Sequence, residues 1–311
     1  MPYFRLFRVP NLMMIALTMY LSRYCIIRPF FNTEGITLLL SDLNFFLLVL
    51  STVLIAMGGY VINDYFDLRI DHINKPDKIV LGRIIPRRRA ILMHQIFTFS
   101  GVLIGFYLSY IVRSLWLPFL FVVIATTLWL YSLKFKQTYL FGNVVVALLS
   151  SLVILMVWLF EFYALKHDGV LFITNVSLMK LLLWGFVFFA FINSLIREIV
   201  KDMEDIDGDR RAGSRTMPVV SGVNTTKIFV NILIVLEMAV MAYILYLLFE
   251  NGFTLLLIYY SVAIMLLLLF AIIKTSQSKL REDFHFVSSL FKIIMVAGIF
   301  SMFLIYISFI Q

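Results

Sequence analysis

Eighteen residues of this 311-residue chain are acidic, and ten of them fall in two short windows. Asp64, Asp67, Asp71 and Asp77 lie within 64–77, and Glu198, Asp202, Glu204, Asp205, Asp207 and Asp209 lie within 198–209. Carboxylates packed that closely repel one another unless cations neutralise them. Asn63, Asp67 and Asp71 step by four, so they share one face if a helix runs through them. Glu198, Asp202, Asp205 and Asp209 step by four, three and four and would form a second stripe, with Gly208 a candidate helix end; Glu204 and Asp207 fall off it and are expected to face solvent. An oxygen-only donor set with one amide suits Mg2+, a hard ion that keeps several waters and completes its shell with substrate phosphates. Two such clusters would clamp one diphosphate between metal ions and neutralise it as it departs. Ordinary polar loops would account for any single aspartate here, but not for two matched clusters.

The elements that position these groups follow from composition. The chain is 62% hydrophobic and 14% charged, whereas a soluble domain carries about 25% charged residues. Lipid must therefore solvate most of it. Nine apolar stretches are long enough to span a bilayer, at about 11–30, 43–65, 90–111, 116–133, 139–160, 173–196, 228–249, 253–273 and 286–310. Many are apolar around the whole circumference, as membrane helices are, and the short alternating segments of a β-barrel are missing. The expected class is all-α, a polytopic membrane protein. Twenty of the 26 Lys and Arg residues, including Arg5, Arg8, Lys134, Lys136 and Arg281, fall on one set of loops. Five (Arg23, Arg28, Arg113, Lys166 and Lys180) fall on the other, and Lys292 lies inside the last span. That bias sets the N-terminus inside, the C-terminus outside and both acidic windows on the cytoplasmic side, at the ends of the second and sixth spans.

Other chemistries find little support. Cys25 is the single cysteine, so neither an intramolecular disulfide nor a cysteine metal cluster can form, and four scattered histidines make a histidine site a poor reading. The net charge of +8 is read as topogenic charge facing anionic lipid, with no nucleic-acid partner. Arg5 and Arg8 precede an apolar run as in a secretory signal. No small-residue cleavage site follows, so the run from Asn11 is expected as a retained span.

The wording of the two windows resembles the UbiA-type superfamily of intramembrane prenyltransferases. Asn63, Asp64, Asp67 and Asp71, followed by Lys75 and Pro76, match its NDxxDxxxD motif and trailing lysine–proline pair. Lys201, Asp202, Asp205, Gly208, Asp209, Arg210, Gly213, Arg215, Thr216 and Pro218 match KDxxDxxGDRxxGxRTxP. Tyr131, Lys134, Gly142 and Asn143 give a smaller echo between them. One departure is Lys78-Ile79, where the family often has arginine–proline. The resemblance implies nine transmembrane helices around a central cavity, in a single domain of two pseudo-repeated four-helix halves, about 11–133 and 139–273, plus a ninth helix at about 286–310.

The same resemblance implies the chemistry. Asp67, Asp71, Asp205 and Asp209 would hold Mg2+ on the diphosphate of a polyprenyl donor, with Asn63, Asp64 and Asp202 completing or orienting that shell. Lys134 and Arg210, and also Lys75, would contact the diphosphate, and Arg8 and Asn11 the acceptor. An apolar, aromatic-rich cavity would keep water from the allylic cation. The second motif reads closest to the branch that alkylates geranylgeranylglyceryl phosphate, the digeranylgeranylglyceryl phosphate synthases. An aromatic-acid prenyltransferase of quinone biosynthesis is the alternative. A transporter fits less well, because transporters place charge near the midplane, whereas here the span centres carry little besides Glu237 and Lys292.

Overall fold

Lipid offers peptide groups no hydrogen-bond partners, so an apolar chain crossing it must satisfy its backbone within each segment. The computed structural model describes residues 2–74, 79–166 and 177–310, apart from the side chains of Arg69, Asp71, Ser177, Leu178, Phe309 and Ile310. The expected all-α class is what these residues adopt: among them no strand forms, and one isolated bridge joins Leu81 to Ile85. A short α1 (Pro2–Leu6) precedes α2 (Val9–Leu21), which passes through a π turn (Ser22–Ile27) into α3 (Arg28–Thr33). Then come α4 (Asp42–Asn74), α5 (Arg87–Ile111), α6 (Leu117–Leu133), α7 (Phe141–Lys166) and α8 (Ser177–Glu204). After α8 come α9 (Ile206–Ala212), α10 (Met217–Ser221) and α11 (Val223–Glu250). Next is α12 (Thr254–Tyr260), a second π turn (Ser261–Met265) and α13 (Leu266–Gln277), and α14 (Arg281–Ile310) closes the chain.

Seven of the described helices are long and apolar enough to cross a membrane, against the nine spans expected. α6 is apolar but 17 residues long, and the first expected span is α2 with its π turn, where Arg23 and Arg28 interrupt the apolar run.

The chain forms two compact units, Met1–Lys136 with Leu152–Leu181, and Gln137–Ser151 with Leu182–Gln311. In the first, α4, α5 and α6 pack on one another and α2 lies on α4. Small residues set the α4–α5 approach, as they do where helices meet in lipid. A Cβ on Gly101 would stand 2.9 Å from Ser51 O, and one on Gly58 3.3 Å from His94 O. Ser51 Oγ fills the gap by donating to Gly101 O at 2.6 Å. One turn on, a Cβ on Gly105 would meet the ring of Phe121 in α6 at 2.5 Å. In the second unit α11, α12, α13 and α14 pack together, and α10 leads into α11.

The first unit also buries a charge network. Arg23, in the π turn, and Glu161, in α7, are 2% and 0% exposed, with Nε donating to Oε1 at 2.7 Å. Arg23 also bonds Asp42 Oδ1 at 2.9 Å and Leu40 O, and its guanidinium lies 4.5 Å from the centre of the Phe45 ring. A residue expected near a loop is thus a buried tie between three segments.

At roughly 1.5 Å per residue, α4 is about 50 Å long, against a hydrocarbon core of about 30 Å. Its candidate span is Asp42–Leu68, and the helix continues beyond that to Asn74. The close approach of α4 and α5 yields a test. Gly101→Ala should cost about 1–3 kcal/mol by overpacking, read as a lower unfolding temperature in detergent. Gly185→Ala, at an exposed helical position with nothing within 4 Å of the added carbon, should be neutral or stabilising.

Candidate active site

The first acidic group stands on the last turns of α4, which runs unbroken through Asn63, Asp67 and Asp71. The step of four therefore does place all three on one face. Asn63 and Asp67 are buried. Asn63 Nδ2 donates to Asp67 Oδ2 at 2.7 Å, and Lys136 Nζ bonds the same oxygen. Lys136 sits in a short 3-10 turn (Phe135–Gln137) just past α6. Lys134, expected at the diphosphate, closes the C-terminus of α6 and is exposed. Asp71 is on α4, but its side chain, like the whole of Lys75, lies outside the described residues.

Asp64 faces another partner. Arg8 donates to its Oδ1 at 2.7 Å and lies 5.0 Å from the centre of the Tyr60 ring. Desolvation works against the Arg8 charge, but Asp64, with Tyr60 and Asp67, outweighs it and holds the guanidinium above its ordinary pKa. Arg8 reaches Asp64 from a left-handed backbone conformation (φ 50°, ψ 49°) between α1 and α2. Next to it Leu6 is buried against Val61, Leu68, Ile79, Leu81, Ile85 and Ala90. Asn11, in the first turn of α2, is half-buried.

The second group departs from the expected stripe. α8 ends at Glu204, and Asp205 (φ −102°, ψ 11°) is the non-helical residue before α9. Glu198, Asp202, Asp205 and Asp209 therefore do not share one continuous helix face, and Gly208, a candidate helix end, is buried inside α9. Glu204, expected in solvent, is 8% exposed, with Oε1 3.1 Å from His285 Nδ1. Asp207 is exposed, as its spacing predicts. Asp202 Oδ2 accepts from Asn143 Nδ2 at 2.8 Å. Glu198 pairs within its own helix, with Arg197 at 2.7 Å and Lys201 at 3.1 Å. Arg281 NH2 lies 3.5 Å from Asp205 Oδ1. Arg210 is exposed on α9.

The remaining motif residues build the shelf for Asp209. Gly213 takes φ 77°, ending α9 in a conformation that costs a side-chain-bearing residue. That turn lets Ser214 N–H donate to Asp209 O at 2.9 Å, and Thr216 Oγ1 then donates to the buried Asp209 Oδ2 at 3.1 Å.

Among the described residues no three acidic, histidine or cysteine side chains gather closely enough to hold a metal ion. The donor set nonetheless fits Mg2+: every candidate is a carboxylate or amide oxygen, and a hard ion of this kind is bound by few protein oxygens together with phosphate. Lys136 and Arg8 pair with Asp67 and Asp64 through charge-assisted contacts that hold those carboxylates in place. Lys136, Arg281, His285 and Thr216 were not predicted as site residues. Lys136 could have been found as the second lysine of the same turn, whereas the α14 residues give no local signal.

The UbiA prenyltransferase family profile matches residues 33–304. A digeranylgeranylglyceryl phosphate synthase from Methanobrevibacter smithii is 31% identical, over 76% of this chain and 78% of its own length. Another from Methanosphaera stadtmanae is 29% identical over 96% and 97%. Among solved structures, one described as structural and mechanistic insights into the biosynthesis of digeranylgeranylglyceryl phosphate synthase in membranes shares the fold with TM-score 0.63 and 23% identity, over 98% of each chain. A UbiA homolog from Archaeoglobus fulgidus bound to DMAPP and Mg2+ aligns with TM-score 0.55 and 18% identity, over 97% and 99%.

The Arg8 geometry separates two effects that one substitution would merge. Arg8→Ala loses the Asp64 pair and keeps the left-handed strain, whereas Arg8→Gly loses the pair and relieves the strain. The glycine variant should be the more stable by about 1 kcal/mol, measured by chemical unfolding in detergent.

Proposed function

We infer that this chain, which belongs to the UbiA prenyltransferase family, transfers a geranylgeranyl group from its diphosphate to the hydroxyl of geranylgeranylglyceryl phosphate within a membrane. The observation that carries this reading is the first acidic group: one unbroken helix presents Asn63, Asp67 and Asp71 on a single face, with Asp67 buried against Lys136. The names of the 29–31% identical relatives support the lipid acceptor.

When bound, Mg2+ supplies the positive charge that lets diphosphate leave the allylic carbon. Asn63 fixes Asp67 Oδ2 through its amide, and Thr216 does the same for Asp209. Asp67 and Asp71 serve the diphosphate from the first motif, and Asp205 and Asp209 from the second, with Asp64 and Asp202 orienting. Lys136 is a diphosphate contact alongside Lys134, Arg210 and Lys75, because a cation held at a metal-ligand oxygen is already where leaving-group charge develops. The acceptor oxygen bonds to the allylic carbon as the carbon–diphosphate bond breaks, and the hydroxyl proton passes to the departing diphosphate. The apolar helices keep water from competing. The distribution of basic residues supports a cytoplasmic membrane location, with the N-terminus inside and both acidic groups on the cytoplasmic side.

The test is direct. Purified protein in lipid, given Mg2+ and geranylgeranyl diphosphate, should alkylate geranylgeranylglyceryl phosphate and not 4-hydroxybenzoate, as read by mass spectrometry. Product with the aromatic acid alone would reassign the acceptor, and folded protein inactive with both would overturn the reading. Asp67→Asn and Asp205→Asn should each cut turnover on the order of a hundredfold. Lys136→Gln should raise the donor KM more than Lys134→Gln does.

A further inference from the structure

Two residues one helical turn apart at the start of α14 reach the acidic break between α8 and α9. Arg281 NH2 lies 3.5 Å from Asp205 Oδ1, and His285 Nδ1 lies 3.1 Å from Glu204 Oε1. The turn that delivers them is well held. Asp283 Oδ2 accepts the backbone N–H groups of Lys279 and Leu280 at 2.8 and 2.9 Å. Lys227 Nζ, from α11, donates to Ser276 O and Ser278 O at 2.9 and 2.8 Å. Arg281 therefore starts from a fixed backbone rather than from a wandering loop.

In the second group Asp202 receives the amide of Asn143, Asp209 the hydroxyl of Thr216, and Asp205 faces the guanidinium of Arg281. A fixed cation beside a carboxylate repels a second cation and attracts an anion. Its effects on a metal ion and on a diphosphate at the same group therefore have opposite signs. A residue that merely held the fold together would move both bindings the same way.

We propose that Arg281 is the tuning counter-charge of the second acidic group, weakening its hold on Mg2+ and strengthening its hold on diphosphate. The proposal rests on the Mg2+–diphosphate reading of that group. Arg281 is 48% exposed, and solvent screens such a pair to an effect of about two- to fivefold. Arg281 would thereby make the metal readily exchangeable between turnovers while retaining the donor.

The experiment uses the full chain in neutral-lipid nanodiscs and measures two bindings without turnover. Mn2+ binding is followed by electron paramagnetic resonance in the absence of substrate, and inorganic diphosphate binding by calorimetry at saturating Mg2+. Arg281→Gln should bind Mn2+ about two- to fivefold more tightly and diphosphate more weakly by a similar factor, while Arg281→Lys should keep both near the parent values. An Arg281→Gln protein in which both bindings weaken, or neither changes, overturns the proposal. A parent protein that binds Mn2+ neither alone nor together with inorganic diphosphate overturns the metal reading itself and the proposal with it, a failure recognisable because it appears before any substitution.

Discussion

A peptide group inside a bilayer has no water to fall back on, and this constraint shapes the whole molecule. It makes the spans helical and leaves polar chemistry two places to go: past the end of a helix, or into a pair in which charges and donors answer one another. α4 takes the first route, continuing past its candidate span to Asn74 so that Asp67 stands near the end of the span on ordered backbone. α8 takes it differently, ending at Glu204 so that Asp205 falls at a bend and Asp209 on a separate short helix. The second route is seen at Arg23 and Glu161, and at Asn193, whose amide donates to Glu237 at 2.5 Å with both residues almost wholly buried.

The two acidic groups solve one problem by different means. Along α4 the regular helix does the positioning, and the opposing charges arrive from Arg8 and Lys136, distant in sequence. In the second group the backbone is irregular, and the motif's own Gly213 and Thr216 build the turn and hydrogen bond that hold Asp209. Motif residues that carry no charge are therefore explained by geometry: removing the glycine or the hydroxyl would leave a carboxylate whose placement depends on them.

How much of the molecule was legible in the sequence depends on how local each determinant is. Helical class and the two motifs could be read from composition and spacing, because lipid solvation and the 3.6-residue period act on neighbours in the chain. Asn63, Asp67 and Asp71 obeyed the period; Glu198, Asp202, Asp205 and Asp209 did not, because nothing in their spacing signals a helix break at Asp205. Glu204 was misread for another reason: His285 covers it from 81 residues away. Lys134 drew attention through its motif, yet among the described residues it is Lys136, carried by the 3-10 turn that follows Lys134, that meets Asp67. The first expected span is not among the seven counted in the described helices, because Arg23 interrupts the apolar run. Its value lies in a buried contact with Glu161, which hydropathy scores only as a penalty.

The π turn that carries Arg23 has a consequence for descent. A π turn is an α-helix that has absorbed an extra residue without breaking, and each residue added or lost rotates the remainder of the helix by about 100°. Relatives lacking that residue would keep the same helix while presenting a different side chain toward α7. An alignment through Ser22–Ile27 that forbids gaps would then pair Arg23 with a lipid-facing position. Relatives are therefore better compared here by a basic group opposite a buried acid than by an arginine in a fixed column.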